Sequence, residues 1–497
     1  MPDSAPRSSS QKLLLSTLVL LSGVALAPAE ALAQRQERRI ERAIRTAEEN
    51  YRLKVDTNLS LAERSVLDVG GFASFVAMHL TDANENSRRL LQPEVSLYAR
   101  GVIDGAHSFF VRSRFQYRDY SEGDSFDERG DRWTEPFVDR YWYEFDYARA
   151  VAAYEGRETD WNFNVRAGRQ FVDWGQGLTL SETLYSVRPT VSIGRFSLEG
   201  LAGVTPTDDS VVDFDASRDG FNADTERGFF GGLARYRTRT DHEFYGFVLW
   251  QDDYNGGDKP RAALDLDGDG VRDSVDFEYD SGYAGLGAQG SFSPQWLYGA
   301  EFVYEFGEGQ SDPLRGTPAG AQVEEDISAW AGRGVLTYLL KDVRRTRVQA
   351  ELLLASGDDD RFVTTDTVGG NEPGTDDNAF NAMGYANTGL AFSPALSNII
   401  VTRIGFSTFP FIETESFRQL QFGFDLLIHN KMDEDAPIEE PTSNDRFLGV
   451  ETDFSVNYRI TSDLALIARY GAFFPSDTIE SSEDTRHFVY FGITLSF

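Results

Sequence analysis

The segment DLDGDGVRDSVD, residues 265–276, carries the most explicit chemistry in this sequence. Oxygen ligands at positions 1, 3, 5, 9 and 12 of a loop, with glycine at 6, form a calcium-binding pattern. Asp265, Asp267, Asp269, Asp273 and Asp276 fill those positions, and Gly270 stands at the sharp turn. The Val271 carbonyl would supply position 7. Aspartate replaces glutamate at position 12, which resembles dockerin and thrombospondin-type calcium loops. The plainer alternative is an acidic solvated loop. Ca2+ bound in a structural role, bridging loop carboxylates, is the only cofactor expected.

Catalytic chemistry finds little support. The five histidines (His79, His107, His242, His429 and His487) are scattered, and the chain has no cysteine. No soft metal site or thiol nucleophile is available. The segments ASGDD (355–359) and GQG (175–177) read as turns, not phosphate loops. An enzyme is not expected. A net charge of −33 excludes an ordinary nucleic-acid binder, whose binding face needs excess Lys and Arg.

The remaining chemistry lies in charges that recur at every second residue. VRSRFQYR sends Arg112, Arg114, Gln116 and Arg118 to one face. DRYWYEFDY separates Arg140, Glu144 and Asp146 from Tyr141, Tyr143, Phe145 and Tyr147. WNFNVRAG does the same with Asn162, Asn164 and Arg166 against Trp161, Phe163 and Val165. RVQAELLL sends in Gln349 and Glu351, RQLQFGFDLLI sends in Gln419, Gln421 and Asp425, and LGVETDFSVNY sends in Glu451, Asp453, Ser455 and Asn457. A period of two is a strand period. In a membrane barrel one face meets lipid and the other the lumen. Inward residues therefore line the candidate solute path: Arg100, Arg112, Arg114, Arg118, Arg140, Arg166, Arg235, Arg237, Arg333, Glu351, Arg403, Asp425, Glu451, Asp453 and Arg469. Arg112 and Arg114 are expected to stand in a wet lumen. The competing reading is that arginines and carboxylates simply pair across the barrel to hold its shape.

The elements that position these residues form an all-β fold, a single antiparallel transmembrane barrel of about 18 strands with long acidic extracellular loops. The candidate strands run from 66–80 to 486–497. Both ends of the chain belong in the periplasm, so the count must be even. YANTGLAF (385–392) could also be a strand, but adding it would give an odd number, so it falls within a long loop, 357–397. The last strand, HFVYFGITLSF, ends on an apolar-face Phe497 and resembles the assembly signal that outer-membrane proteins present to the barrel assembly machinery. The expected location is the cell outer membrane, with its lipid as a partner.

Residues 1–33 read as a signal peptide: Arg7 and Lys12, an apolar run from Leu13 to Ala27, and a small-residue site at Ala31-Leu32-Ala33. The run is too short to span a bilayer as a helix, which takes about 20 residues. Residues 34–60 are expected to form a periplasmic helix or arm, with Ile40, Ala43, Ile44 and Ala47 at helical spacing. The barrel occupies 61–497.

Three stretches carry a family resemblance. VRAGRQFVDWGQG (165–177), LLLASGDDD (352–360) and FLGVETDFSVNYRITSDLALIARYGAFFPSD (447–477) resemble segments of the bacterial alginate export family of outer-membrane β-barrels. The resemblance implies an eighteen-stranded, porin-like, monomeric barrel with an Arg-lined lumen that passes an acidic polysaccharide. The expected function is thus a channel for an anionic saccharide or similar anionic solute. The alternatives are a general diffusion porin, or a barrel anchor presenting calcium-binding surface loops.

Overall fold

Eighteen antiparallel strands close into one barrel in the computed structural model, which describes residues 65–81, 83, 86–121, 131–206, 227–254, 278–312, 322–361 and 370–497. In chain order they are β1 (Ser65–Thr81), β2 (Ser87–Ile103), β3 (His107–Tyr120), β4 (Arg132–Asp146), β5 (Trp161–Asp173), β6 (Ser181–Ile193), β7 (Phe196–Val204), β8 (Arg227–Arg237), β9 (Glu243–Asp253), β10 (Tyr279–Ser293), β11 (Trp296–Gln310), β12 (Glu324–Leu339), β13 (Arg347–Ala355), β14 (Ile399–Thr408), β15 (Leu420–Asn430), β16 (Phe447–Arg459), β17 (Leu464–Pro475) and β18 (Arg486–Ser496). A short helix, α1 (Tyr147–Glu155), joins β4 to β5. No described helix is long and apolar enough to cross a membrane. The signal peptide, the arm at 34–60 and the calcium loop at 265–276 lie outside the described residues.

Each strand pairs with its sequence neighbours, and β1 pairs with β18 to close the ring. Closure leaves no open edge, which is the condition for crossing lipid with strands. The terminal Phe497 takes part: its amide donates to Gly71 O at 2.9 Å and its carbonyl accepts from Gly71 N at 2.8 Å. A side chain at position 71 would meet the Phe497 ring at 2.9 Å, so this close approach needs glycine.

The period of two sorts the faces as the sequence indicates. Leu67, Val248 and Leu286 are exposed on the outside, while Ser96, Glu305 and Glu451 are buried inside. Aromatic pairs ring the outer surface, including Trp296 with Tyr338, Tyr147 with Trp161, and Tyr117 with Trp133. Three histidines hydrogen-bond outward tyrosines: His107 to Tyr143, His242 to Tyr298 and His487 to Tyr470. Such amphipathic rings suit the two membrane interfaces.

Tight turns gather at one end of the barrel, at 104–106, 194–195, 294–295 and 460–463. Asp104 and Gly105 both have positive φ, as a two-residue hairpin turn requires. Several strands start earlier than the alternation indicates, β4 most of all. β4 begins at Arg132, and the β3–β4 register shifts between Arg112 and Ser113 and again between Arg114 and Gln116. Pro136 and these bulges break the alternation that a strand there would show.

Candidate functional site

The interior wall is a set of ion pairs fixed by strand register. Arg112 and Arg114 of β3 both reach Asp139 of β4, Arg114 at 3.2 Å. Arg166 of β5 meets Glu144 of β4 at 2.6 Å and lies over the Trp142 ring. Glu199 of β7 holds Arg188 at 2.5 Å, Arg235 at 3.1 Å and the Trp174 indole N–H at 3.0 Å. Arg237 meets Glu243 at 2.8 Å. Glu351 of β13 is shared by Arg333 at 2.7 Å and Arg403 at 2.8 Å. Arg100, Arg118 and Arg140 point inward from β2, β3 and β4, with Arg140 buried. The expectation of a wet environment for Arg112 and Arg114 is not met: both are buried with Asp139, because the opposing strand brings that carboxylate alongside them.

A second departure concerns the loop assigned to 357–397. The structure confirms that 385–392 is not a strand of the wall, yet this stretch folds into the barrel instead of staying outside. It meets the connection between β5 and β6 there. Leu180 and Met383 form a parallel bridge, Ser181 N donates to Met383 O at 2.8 Å, and Tyr385 N donates to Gly177 O at 2.7 Å. Only glycine fits at position 384, where a Cβ would lie 1.7 Å from Leu178 O.

Inward carboxylates bind the backbone of these inner segments. Glu301 of β11 accepts from Gln176 N at 2.6 Å and from the Tyr245 hydroxyl at 2.5 Å. Glu305, also on β11, accepts from Asn381 N at 2.8 Å and the Tyr279 hydroxyl at 2.9 Å. Glu451 of β16 accepts three successive amides, Leu390 N at 2.5 Å, Ala391 N at 2.7 Å and Phe392 N at 2.8 Å. His429 Nε2 donates to Thr388 O at 2.7 Å, and Arg403 donates to Asn387 O. Apolar side chains complete the anchorage: Phe392 stacks on Phe473 at 4.1 Å between ring centres, within a buried cluster that includes Trp174, Leu180, Phe380 and Leu390. The lumen therefore contains an apolar plug as well as polar walls.

Cavities remain on the wall, two of them lined by described residues. The larger, about 540 Å3, is lined by Arg166, Arg188, Arg235 and Arg237, by Glu144, Asp146, Asp173, Glu199 and Glu243, and by uncharged groups such as Asn162, Asn164, Thr190 and Ser192. The smaller, about 130 Å3, collects Asp425, Asp453 and Arg469 with Gln349, Gln421 and Asn457. Glu351 and Glu451 are buried behind the surface instead, as carboxylates bonded to arginine and backbone. Residues that sequence reasoning missed include Asp139, Glu199, Glu301 and Glu305. The signal available was their place in alternating strands, but nothing local separates a buried anchor from a wetted one.

Among the described residues, Asp358, Asp359 and Asp360 bring carboxylate oxygens within 4.8 Å of one another. Asp358 is already bonded to Asn371 Nδ2 at 3.0 Å and Asn378 N at 2.5 Å, which makes it a turn-forming residue.

The alginate export family model matches residues 211–490, more than half of the chain. The chain belongs to the alginate export family. No curated protein matches it. Among solved structures, Pseudomonas aeruginosa OccK8 (OprE) is 10% identical over 88% of this chain and 99% of its own, with a TM-score of 0.51. Pseudomonas aeruginosa OccK2 (OpdF) is 12% identical over 87% and 98%, with a TM-score of 0.50. Both likenesses concern the fold. This alginate export family member is thus an outer-membrane, porin-like barrel, and family and fold are those of channels rather than enzymes.

Proposed function

We propose that this channel passes an anionic saccharide or a similar anionic solute. The observation that carries the reading is the orientation of the luminal ion pairs. In four of them the arginine is the more exposed partner. Side-chain exposures are 25% for Arg235 against 6% for Glu199, and 68% for Arg237 against 13% for Glu243. They are 20% for Arg333 against 1% for Glu351, and 19% for Arg166 against 13% for Glu144. A solute following the wall meets guanidinium N–H groups before carboxylate oxygens. Guanidinium matches carboxylate geometry through two parallel hydrogen bonds. Asn162, Asn164, Thr190 and Ser192 beside them suit sugar hydroxyls. The strongly acidic total charge does not set this local field, because charges beyond roughly 8–10 Å are screened at physiological salt.

The test is reversal potential in planar bilayers under a salt gradient. The wild type should prefer anions, and Arg235→Gln with Arg237→Gln should reduce that preference. Cation selectivity would overturn the proposal. Weak selectivity that the substitutions leave unchanged would favour a general diffusion porin. Absence of conductance would favour a barrel that only anchors surface loops.

A further inference from the structure

The turn between β12 and β13, residues 340–346, departs from the charge of the whole chain. It carries Lys341, Arg344 and Arg345, all exposed, in a protein of net charge −33. Its only acid, Asp342, is turned onto the backbone: its carboxylate accepts from Thr346 N at 2.8 Å and Thr346 Oγ1 at 2.6 Å. None of the three cations forms an ion pair with a carboxylate among the described residues.

The surroundings of these cations mix apolar groups with the exposed Glu413, Glu415 and Arg418 of the adjoining turn. Val343 at the tip of the turn is 74% exposed. Phe409 N donates to Arg344 O at 2.9 Å, which ties in the adjoining turn between β14 and β15. Arg345, at a positive φ, lies over the Phe409 ring. Phe411 and Phe417 are exposed on that second turn and pack toward Phe422 and Tyr458. The outward apolar face beside these turns continues through the paired Phe406, Val348 and Tyr338 to Trp296 of the lipid-facing belt.

We infer that this pair of turns is a docking surface for the phosphate headgroup of an anionic phospholipid. Long cationic side chains that emerge from an apolar rim keep their stems in the interfacial layer and their charges at phosphate level. A soluble acidic partner would match the charges but not Val343, Phe411 and Phe417. Their continuity with the membrane belt favours lipid.

The experiment titrates phosphatidylglycerol into the purified full-length protein in detergent and counts bound lipid by native mass spectrometry. Phosphatidylcholine and glycerol phosphate run in parallel. Phosphatidylglycerol should bind in preference to both. Lys341→Gln with Arg344→Gln and Arg345→Gln should weaken it by about fivefold per charge, the effect of one basic side chain near an anionic surface. Phosphatidylcholine binding should not change. Val343→Asp, which leaves the three cations in place, should also weaken phosphatidylglycerol and decides the matter if the triple variant does not fold. Equal phosphatidylglycerol affinity in the folded variants and the wild type would overturn the inference. So would glycerol phosphate binding as tightly as the lipid, which would mark a simple phosphate pocket.

Discussion

Replacing Glu451 by glutamine should open the inner segment while leaving the barrel closed. Glu451 is fully buried and accepts Leu390 N and Ala391 N on one oxygen and Phe392 N on the other. Glutamine keeps one acceptor oxygen, so two of these bonds survive without their charge. The third amide then faces an NH2 group. A buried donor left without a partner costs about 1–3 kcal/mol, and loss of charge assistance about 1 kcal/mol per bond. The sum is about 3–5 kcal/mol. Asp453 faces the same interior two residues along, so removing a neighbouring negative charge offsets part of this and favours the lower figure. At a factor of ten per 1.4 kcal/mol, the displaced population of the segment rises roughly a hundredfold. The β16 ladder does not use this side chain, so strand pairing stays intact. Single-channel recordings should show longer or larger openings, and limited proteolysis should cut within 370–398. A variant that still shows heat-modifiable migration, yet has the wild-type current trace and cleavage pattern, would refute the assignment of Glu451 as the anchor.

Three further outcomes follow from the geometry. Arg112→Ala with Arg114→Ala should destabilise the barrel by about 3–5 kcal/mol, because Asp139 is left as a buried unpaired charge; the midpoint of denaturant unfolding measures this, and an unchanged midpoint would mean that Asp139 is solvated. Asp342, which lies in a turn outside the wall, is held below the ordinary aspartate value of 3.8 by the Thr346 hydroxyl and amide. A depressed carboxylate contributes stability that is complete above its unfolded value and is lost as pH falls through its folded value. The Thr346 amide resonance should therefore titrate with a midpoint under 3.8, and a midpoint at or above it would contradict the hydrogen bonds. The acidic loop at 265–276 should bind calcium weakly, in the ~0.1–1 mM range of extracellular modules, so chelator should increase cleavage within 252–281 while the core survives; equal cleavage with and without chelator, and no heat of calcium binding, would reduce it to a solvated loop.

The wall of this barrel was legible in the sequence because a strand exposes its environment at every second residue. Lipid on one side and lumen on the other impose apolar and polar alternation, and the even count kept 385–392 out of the wall. The faces of Arg112, Arg166, Glu351 and Glu451 followed from the same rule. The rule fails where the backbone bulges, as at the start of β4.

Two things were decided only by the tertiary structure. The first is pairing. Alternation says that an arginine points inward, but not which carboxylate the neighbouring strand places beside it. Register puts Asp139 against Arg112 and makes a buried pair, whereas Arg237 beside Glu243 stays exposed. The second is the inner segment. YANTGLAF could be taken for a wall strand, but its surroundings are Phe473 and Glu451 inside the lumen, not lipid and solvent. Its backbone amides find partners on side chains far away in sequence, such as Glu451, instead of on a strand ladder. A one-dimensional pattern records how polar the surroundings of each residue are. Only closure of the barrel determines which residues provide them.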